Sequence, residues 1–75
     1  MAGQTLGQVI HEIRLNHGLT QDRFAKVAGV SGRSVVSYWE TNKARPNPQA
    51  MKHIADLEGI TVSELLQRVS ETALN

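Results

Sequence analysis

The chain has 75 residues, 40% of them hydrophobic and 20% charged, with a formal net charge of +1. That length sets one domain, 1–75, and a domain so small buries only about 60–65% of its unfolded surface, which makes it marginal alone and rewards oligomerisation. The absence of cysteine excludes a disulfide framework and thiolate metal ligation, the histidines (His11, His17, His53) lack metal-ligand spacing, and no apolar run approaches the roughly 18 residues of a membrane span or reads as a signal peptide.

Five helices and no strand are expected, an all-α bundle with connections of two to six residues. The first spans about 5–16: Thr5 caps it, Leu6, Val9, Ile10 and Ile13 form an apolar stripe, and Gly18 stops it. The second spans 20–28, with Thr20 as cap, Phe24, Ala25 and Ala28 inward and Gly29 as stop. The third spans 31–41. Ser31 is its expected cap, Val35, Val36 and Trp39 face inward, and Arg33, Ser34, Ser37, Tyr38 and Thr41 face outward. In the loop that follows, Asn42 suits a left-handed position. The fourth helix, 47–58, opens with Asn47 as cap and Pro48 in the first turn, buries Met51, Ile54, Ala55 and Leu57, and ends at Gly59. The fifth, 61–73, opens on the capping box Thr61-Val62-Ser63-Glu64 and presents Leu65, Leu66 and Val69, continuing through Ala73 and Leu74.

Helix, glycine turn and helix over residues 20–41 is the pattern of a helix-turn-helix, whose second helix enters the DNA major groove. The charge distribution agrees. Residues 1–22 sum to −1, residues 23–52 to +5 and residues 53–75 to −3. The basic block thus coincides with the helix pair and the loop after it, the footprint of a phosphate-binding face, although basic side chains also populate ordinary solvated surfaces.

Ile13-Arg14, Gly18-Leu19-Thr20-Gln21, Phe24-Ala25, Gly29-Val30-Ser31, Val36-Ser37, Trp39-Glu40, Pro46, Ile54-Ala55, Gly59-Ile60 and Glu64-Leu65, in this order and spacing, carry a resemblance. Over nearly its whole length the chain resembles the lambdoid phage repressor and Cro proteins, the XRE-like helix-turn-helix family. The resemblance implies a five-helix domain that binds operator DNA, usually as a two-fold dimer. Two departures stand out. One extra residue lies between Gly29 and Glu40, placed at Gly32, and it leaves the transfer at Ser31, Gly32 and Arg33 open by one position. Asn42 stands where the family usually has glycine.

Phosphate contacts hold such a domain in register, while base-edge contacts carry sequence preference. For phosphate, Thr20 and Gln21 sit at a helix start where free N–H groups and the dipole favour an anion. The resemblance adds that Gln21 contacts the backbone and braces the recognition helix, and that the loop holding Thr41, Asn42, Lys43 and Arg45 runs along the sugar-phosphate chain, the alternative being a solvated polar loop; Ser31 is a further phosphate candidate. For base reading the candidates are Arg33, Ser34, Ser37 and Tyr38. Arg33 lies in the first turn and can grip guanine O6 and N7, a pairing worth about 1–3 kcal/mol of discrimination. Arg33 and Tyr38 are equally able to bond the backbone. Trp39 reads as a core anchor, and Arg14 with Glu40 resembles the family's internal ion pair.

One domain spans too few base pairs for useful specificity, so a homodimer on a palindromic operator is expected. Leu66, Val69 and Leu74 are its candidate interface, with Leu65 in the core. The expected function is a sequence-specific repressor of double-stranded DNA, without cofactor or metal, in the cytoplasm. An antitoxin-type protein that neutralises a protein partner is the alternative. An enzyme is not expected, because no nucleophile–base pair or phosphate-cradling glycine loop is present.

Overall fold

The computed structural model describes residues 4–69, which form five α-helices and no strand: α1 (Leu6–Asn16), α2 (Gln21–Ala28), α3 (Arg33–Glu40), α4 (Pro48–Glu58) and α5 (Val62–Gln67). Four of the helices start on a short polar residue whose side-chain oxygen takes an N–H of the first turn. Thr5 accepts from Gln8, Thr20 from Arg23, Asn47 from Ala50 and Thr61 from Glu64. At α1 and α5 the third residue, Gln8 or Glu64, reciprocates and closes a capping box. Gly29 and Gly59 end α2 and α4 in the left-handed conformation.

Each helix contributes one apolar face to a single core. Val9, Ile10 and Ile13 of α1, Phe24, Ala25 and Ala28 of α2, Val36 and Trp39 of α3, and Ala50, Met51, Ile54 and Ala55 of α4 are buried together. Leu65 closes the core from α5. Val35, Leu57 and Leu66 are half-buried against its edge. Helix α2 packs against α3 and α4, and α3 lies across α1 as well. The outer face of α3 is therefore presented with its inner face fixed by two neighbours.

Three expectations about the helices need correction. α3 does not begin at Ser31. Gly32 occupies the N-cap position in fully extended backbone and supplies no side-chain cap, and the helix begins at Arg33. The C-terminal limit also moves in, with Thr41 outside α3 as its C-cap. α5 ends at Gln67, the N–H groups of Arg68 and Val69 go back to Leu65 and Leu66, and the expected continuation from residue 70 to 73 lies outside the described residues. Val69, four residues after the buried Leu65, is only 5% exposed and belongs to the core, not to an interface. Leu74 lies outside the described residues.

Gly7, in the first turn of α1, is buried against the end of α3. A Cβ on it would lie 2.4 Å from the carbonyl oxygen of Trp39 and 2.7 Å from that of Glu40. Only a residue without a side chain allows α1 to approach the end of α3 so closely.

Candidate nucleic-acid interface

Along the outer side of α3, Arg33, Ser34 and Tyr38 are exposed and Ser37 is half-exposed. Their spacing, with Val36 and Trp39 buried opposite, puts them on one face. Tyr38 is 52% exposed, its ring left outside the core. Among the described residues Arg33, Lys43 and Arg45 form no ion pair. Arg33 also borders an open cleft of about 430 Å³ with Arg14, Thr20, Gln21 and Asp22, where the first turns of α2 and α3 meet. Ser31 is exposed in the turn between those helices.

The opposite end of α3 is held by a polar hub. The Glu40 side chain is 7% exposed, and its carboxylate accepts from Arg14 Nε at 2.6 Å, from Arg14 Nη2 at 3.2 Å and from Gln21 Nε2 at 3.1 Å. The His11 ring nitrogen Nδ1 lies 3.1 Å from the same carboxylate. Arg14 also donates through Nη1 to the Leu19 carbonyl at 2.9 Å. Burial pushes the Glu40 carboxyl up, but the hydrogen bonds from Arg14, His11 and Gln21 and the Arg14 charge outweigh it and hold the group below the ordinary carboxylate range. The sequence pairs Arg14 with Glu40 by resemblance but gives His11 no part. Its place in the hub depends on α1 crossing the end of α3, which no local pattern encodes. Gln21 here bonds the end of α3, so its amide braces one helix from the first turn of another.

Beyond α3 the chain is pinned by backbone bonds. The N–H groups of Thr41 and Asn42 go to Ser37 and Trp39, and those of Lys43 and Ala44 both go to the Tyr38 carbonyl. Thr41 donates its hydroxyl to Ser37 O at 2.9 Å, which leaves that oxygen an acceptor. Asn42 is the one non-glycine residue with positive φ among the described residues, at 62°. Its carboxamide turns back to α1, accepting from Gly7 N–H at 3.0 Å and donating to Thr5 Oγ at 3.0 Å. Lys43 and Arg45 stay exposed beside it.

Residues 10–65 match a family model described as helix-turn-helix. The chain belongs to the helix-turn-helix family. It is of the Cro/cI-like type, and two solved structures carry that likeness. The crystal structure of the P22 c2 repressor in complex with a synthetic operator superposes with a TM-score of 0.76 at 25% identity, over 87% of this chain and 97% of that one. The solution structure of the DNA-binding domain of the P22 c2 repressor gives 0.75 at 26% identity, over 88% and 86%. The HTH-type transcriptional activator BcrR of Enterococcus faecalis is 35% identical over 57 residues, which are 76% of this chain but 28% of that protein. The chain thus spans little more than a quarter of that relative's length.

Proposed function

We propose that this helix-turn-helix chain is a transcriptional regulator that reads double-stranded DNA in a sequence-specific way, with α3 in the major groove. The observation that carries the reading is the outer face of α3: Arg33, Ser34, Ser37 and Tyr38 stand together on it, flanked by Lys43 and Arg45, which are exposed and form no ion pair among the described residues. Exposed polar and aromatic groups on a rigid helix serve base edges, and unpaired cations at its end serve phosphates. In the comparisons it is the P22 c2 repressor that is seen on an operator.

The chain acts as a homodimer on a palindromic operator, with two α3 helices in successive major grooves about 34 Å apart. With Val69 in the core, Leu66 is the remaining described residue of the expected interface, half-buried on α5. Repression by occupancy is the simplest mode, because it asks only that the operator be held. Selection from a random duplex pool at fixed salt, with the mass of the complex, tests this reading. The expected result is an inverted repeat bound by two chains, at least about a thousandfold tighter than random duplex. Equal affinity for every duplex overturns sequence reading, whereas a co-purifying protein partner favours the antitoxin-type alternative, whose fold also binds DNA.

A further inference from the structure

We infer that Asn42 is a positioning residue, locking the phosphate-facing loop to the start of α1, and not itself a phosphate ligand. The inference rests on the DNA reading above and adds how the loop is held. Glycine is the ordinary solution at a positive-φ turn, since it carries no Cβ penalty. Here the position carries a carboxamide instead, and both ends of it are engaged. Oδ1 takes the N–H of Gly7 and Nδ2 donates to Thr5 Oγ, across 35 and 37 residues of sequence. Those two groups belong to the first turn and cap of α1, where an unpaired N–H otherwise needs a partner. The contact is possible because Gly7 has no side chain: a Cβ there would stand 2.8 Å from Asn42 Oδ1. Thr5 Oγ in turn holds Gln8 N–H at 3.1 Å, so one hydroxyl links the helix cap to the loop.

The consequence falls on the next residues. Lys43 and Ala44 hang from the Tyr38 carbonyl, at 2.8 and 3.3 Å, which ties the loop to α3 on one side. The Asn42 carboxamide ties it to α1 on the other. With both ties made, the exposed Lys43 and Arg45 are delivered from a fixed backbone, so less ordering remains to be done when they meet a phosphate. With the α1 tie cut, the same cations leave from a hinged segment.

The test is binding of the full chain to its selected duplex and to random duplex across a salt series, at a temperature where circular dichroism shows every variant folded. Asn42→Gly keeps the left-handed turn and removes both bonds. It is expected to weaken binding about fivefold on all duplexes alike, with the salt slope falling by about one. Backbone order parameters of residues 43–45 are expected to fall from about 0.85 toward 0.6 in the free protein. Thr5→Ala, which removes the bond to Asn42 Nδ2 and the α1 cap but leaves the Gly7 bond, is expected to shift both readouts in the same direction by less, Thr5→Ser to restore them, and the double variant Thr5→Ala/Asn42→Gly to bind no worse than Asn42→Gly. If Asn42→Gly weakens binding while Thr5→Ala leaves the salt slope and loop order unchanged, Asn42 is a direct phosphate ligand and the inference is overturned. Unchanged slopes in both variants overturn it too, reducing the clamp to fold stability. A wild-type chain that binds no duplex is a separate outcome, which removes the DNA reading and the inference with it.

Discussion

At the C-terminal end of α3, Glu40 is nearly buried and polar groups from α1 and α2 converge on its carboxylate. At the N-terminal end, Arg33 is exposed and unpaired among the described residues, and the helix starts on a glycine that caps nothing. One eight-residue helix thus carries a saturated end and an open end. Satisfied hydrogen bonds and paired charges have no further use for a ligand, whereas unpaired donors gain by meeting one. The contrast assigns the first to holding the helix and the second to what the helix holds.

Removing the hub should have the largest effect. Glu40→Ala leaves Arg14, whose side chain is 12% exposed, facing a site without its carboxylate, while Gln21 also loses its acceptor. A loss of about 3 kcal/mol in unfolding free energy is expected from chemical denaturation, since removing half of a largely buried pair strands the other charge. Arg14 keeps its bond to Leu19 O, which limits the loss. Refolded under stabilising conditions, the variant should retain the base preference of the wild type. A stable Glu40→Ala chain with altered preference would mean that the saturated end reads DNA after all.

Arg33→Ala probes the open end and should cost the fold little, because its side chain is exposed and forms no ion pair among the described residues. A selective loss of about 1–3 kcal/mol at one base pair is expected in competition binding, with other positions unchanged. Uniform weakening on every duplex would move Arg33 to the phosphate chain. This distinction turns on the start of α3, where Arg33 is the first helical residue after the Gly32 N-cap.

The two ends also differed in how much of them could be read in advance. Caps and stops are local. Thr5, Thr20, Asn47 and Thr61 announce helix starts, and Gly29 and Gly59 announce ends, because each acts on groups within a few residues. Ser31 failed as a cap because one intervening glycine moved the helix start past its reach. The hub needed tertiary information: Arg14 and Glu40 were paired only through family resemblance, and His11 joined them unannounced. Val69 reads as spare apolar surface on a long helix, but it lies one turn after Leu65 and shares its buried face. Gly7 and Asn42 carry no sequence signal for their contact, which exists only when α1 meets the end of α3.

Acid should loosen the saturated end selectively. The Glu40 carboxyl is held below its ordinary value in the folded chain, so its contribution to stability is present above the unfolded value of about 4.3 and is lost as pH falls through the folded value. Thermal midpoints of wild type and Glu40→Gln, measured from pH 7 to pH 3, should therefore converge at the acid end. Parallel curves would mean that the carboxylate is no better placed in the fold than in water.

The smallest expected effect lies at Gly32, and it tests the open end most directly. A Cβ there meets nothing within 4 Å, and the extended backbone suits any residue, so substitution carries no steric cost. Gly32→Ser adds a capping oxygen at the start of α3 and should stabilise the domain by a few tenths of a kcal/mol, the usual difference between these residues at an N-cap. Gly32→Asp should stabilise comparably, since a carboxylate also complements the helix dipole. On DNA the two should part. Serine leaves the first turn neutral, whereas aspartate sets a negative charge where the phosphate chain passes, and should weaken binding to all duplexes at low salt with a shallower salt slope. Matching affinities for Gly32→Ser and Gly32→Asp would place the start of α3 away from the phosphates. The DNA contact would then belong to the middle of the helix and to the Lys43–Arg45 loop, and the missing cap would be only a feature of the turn.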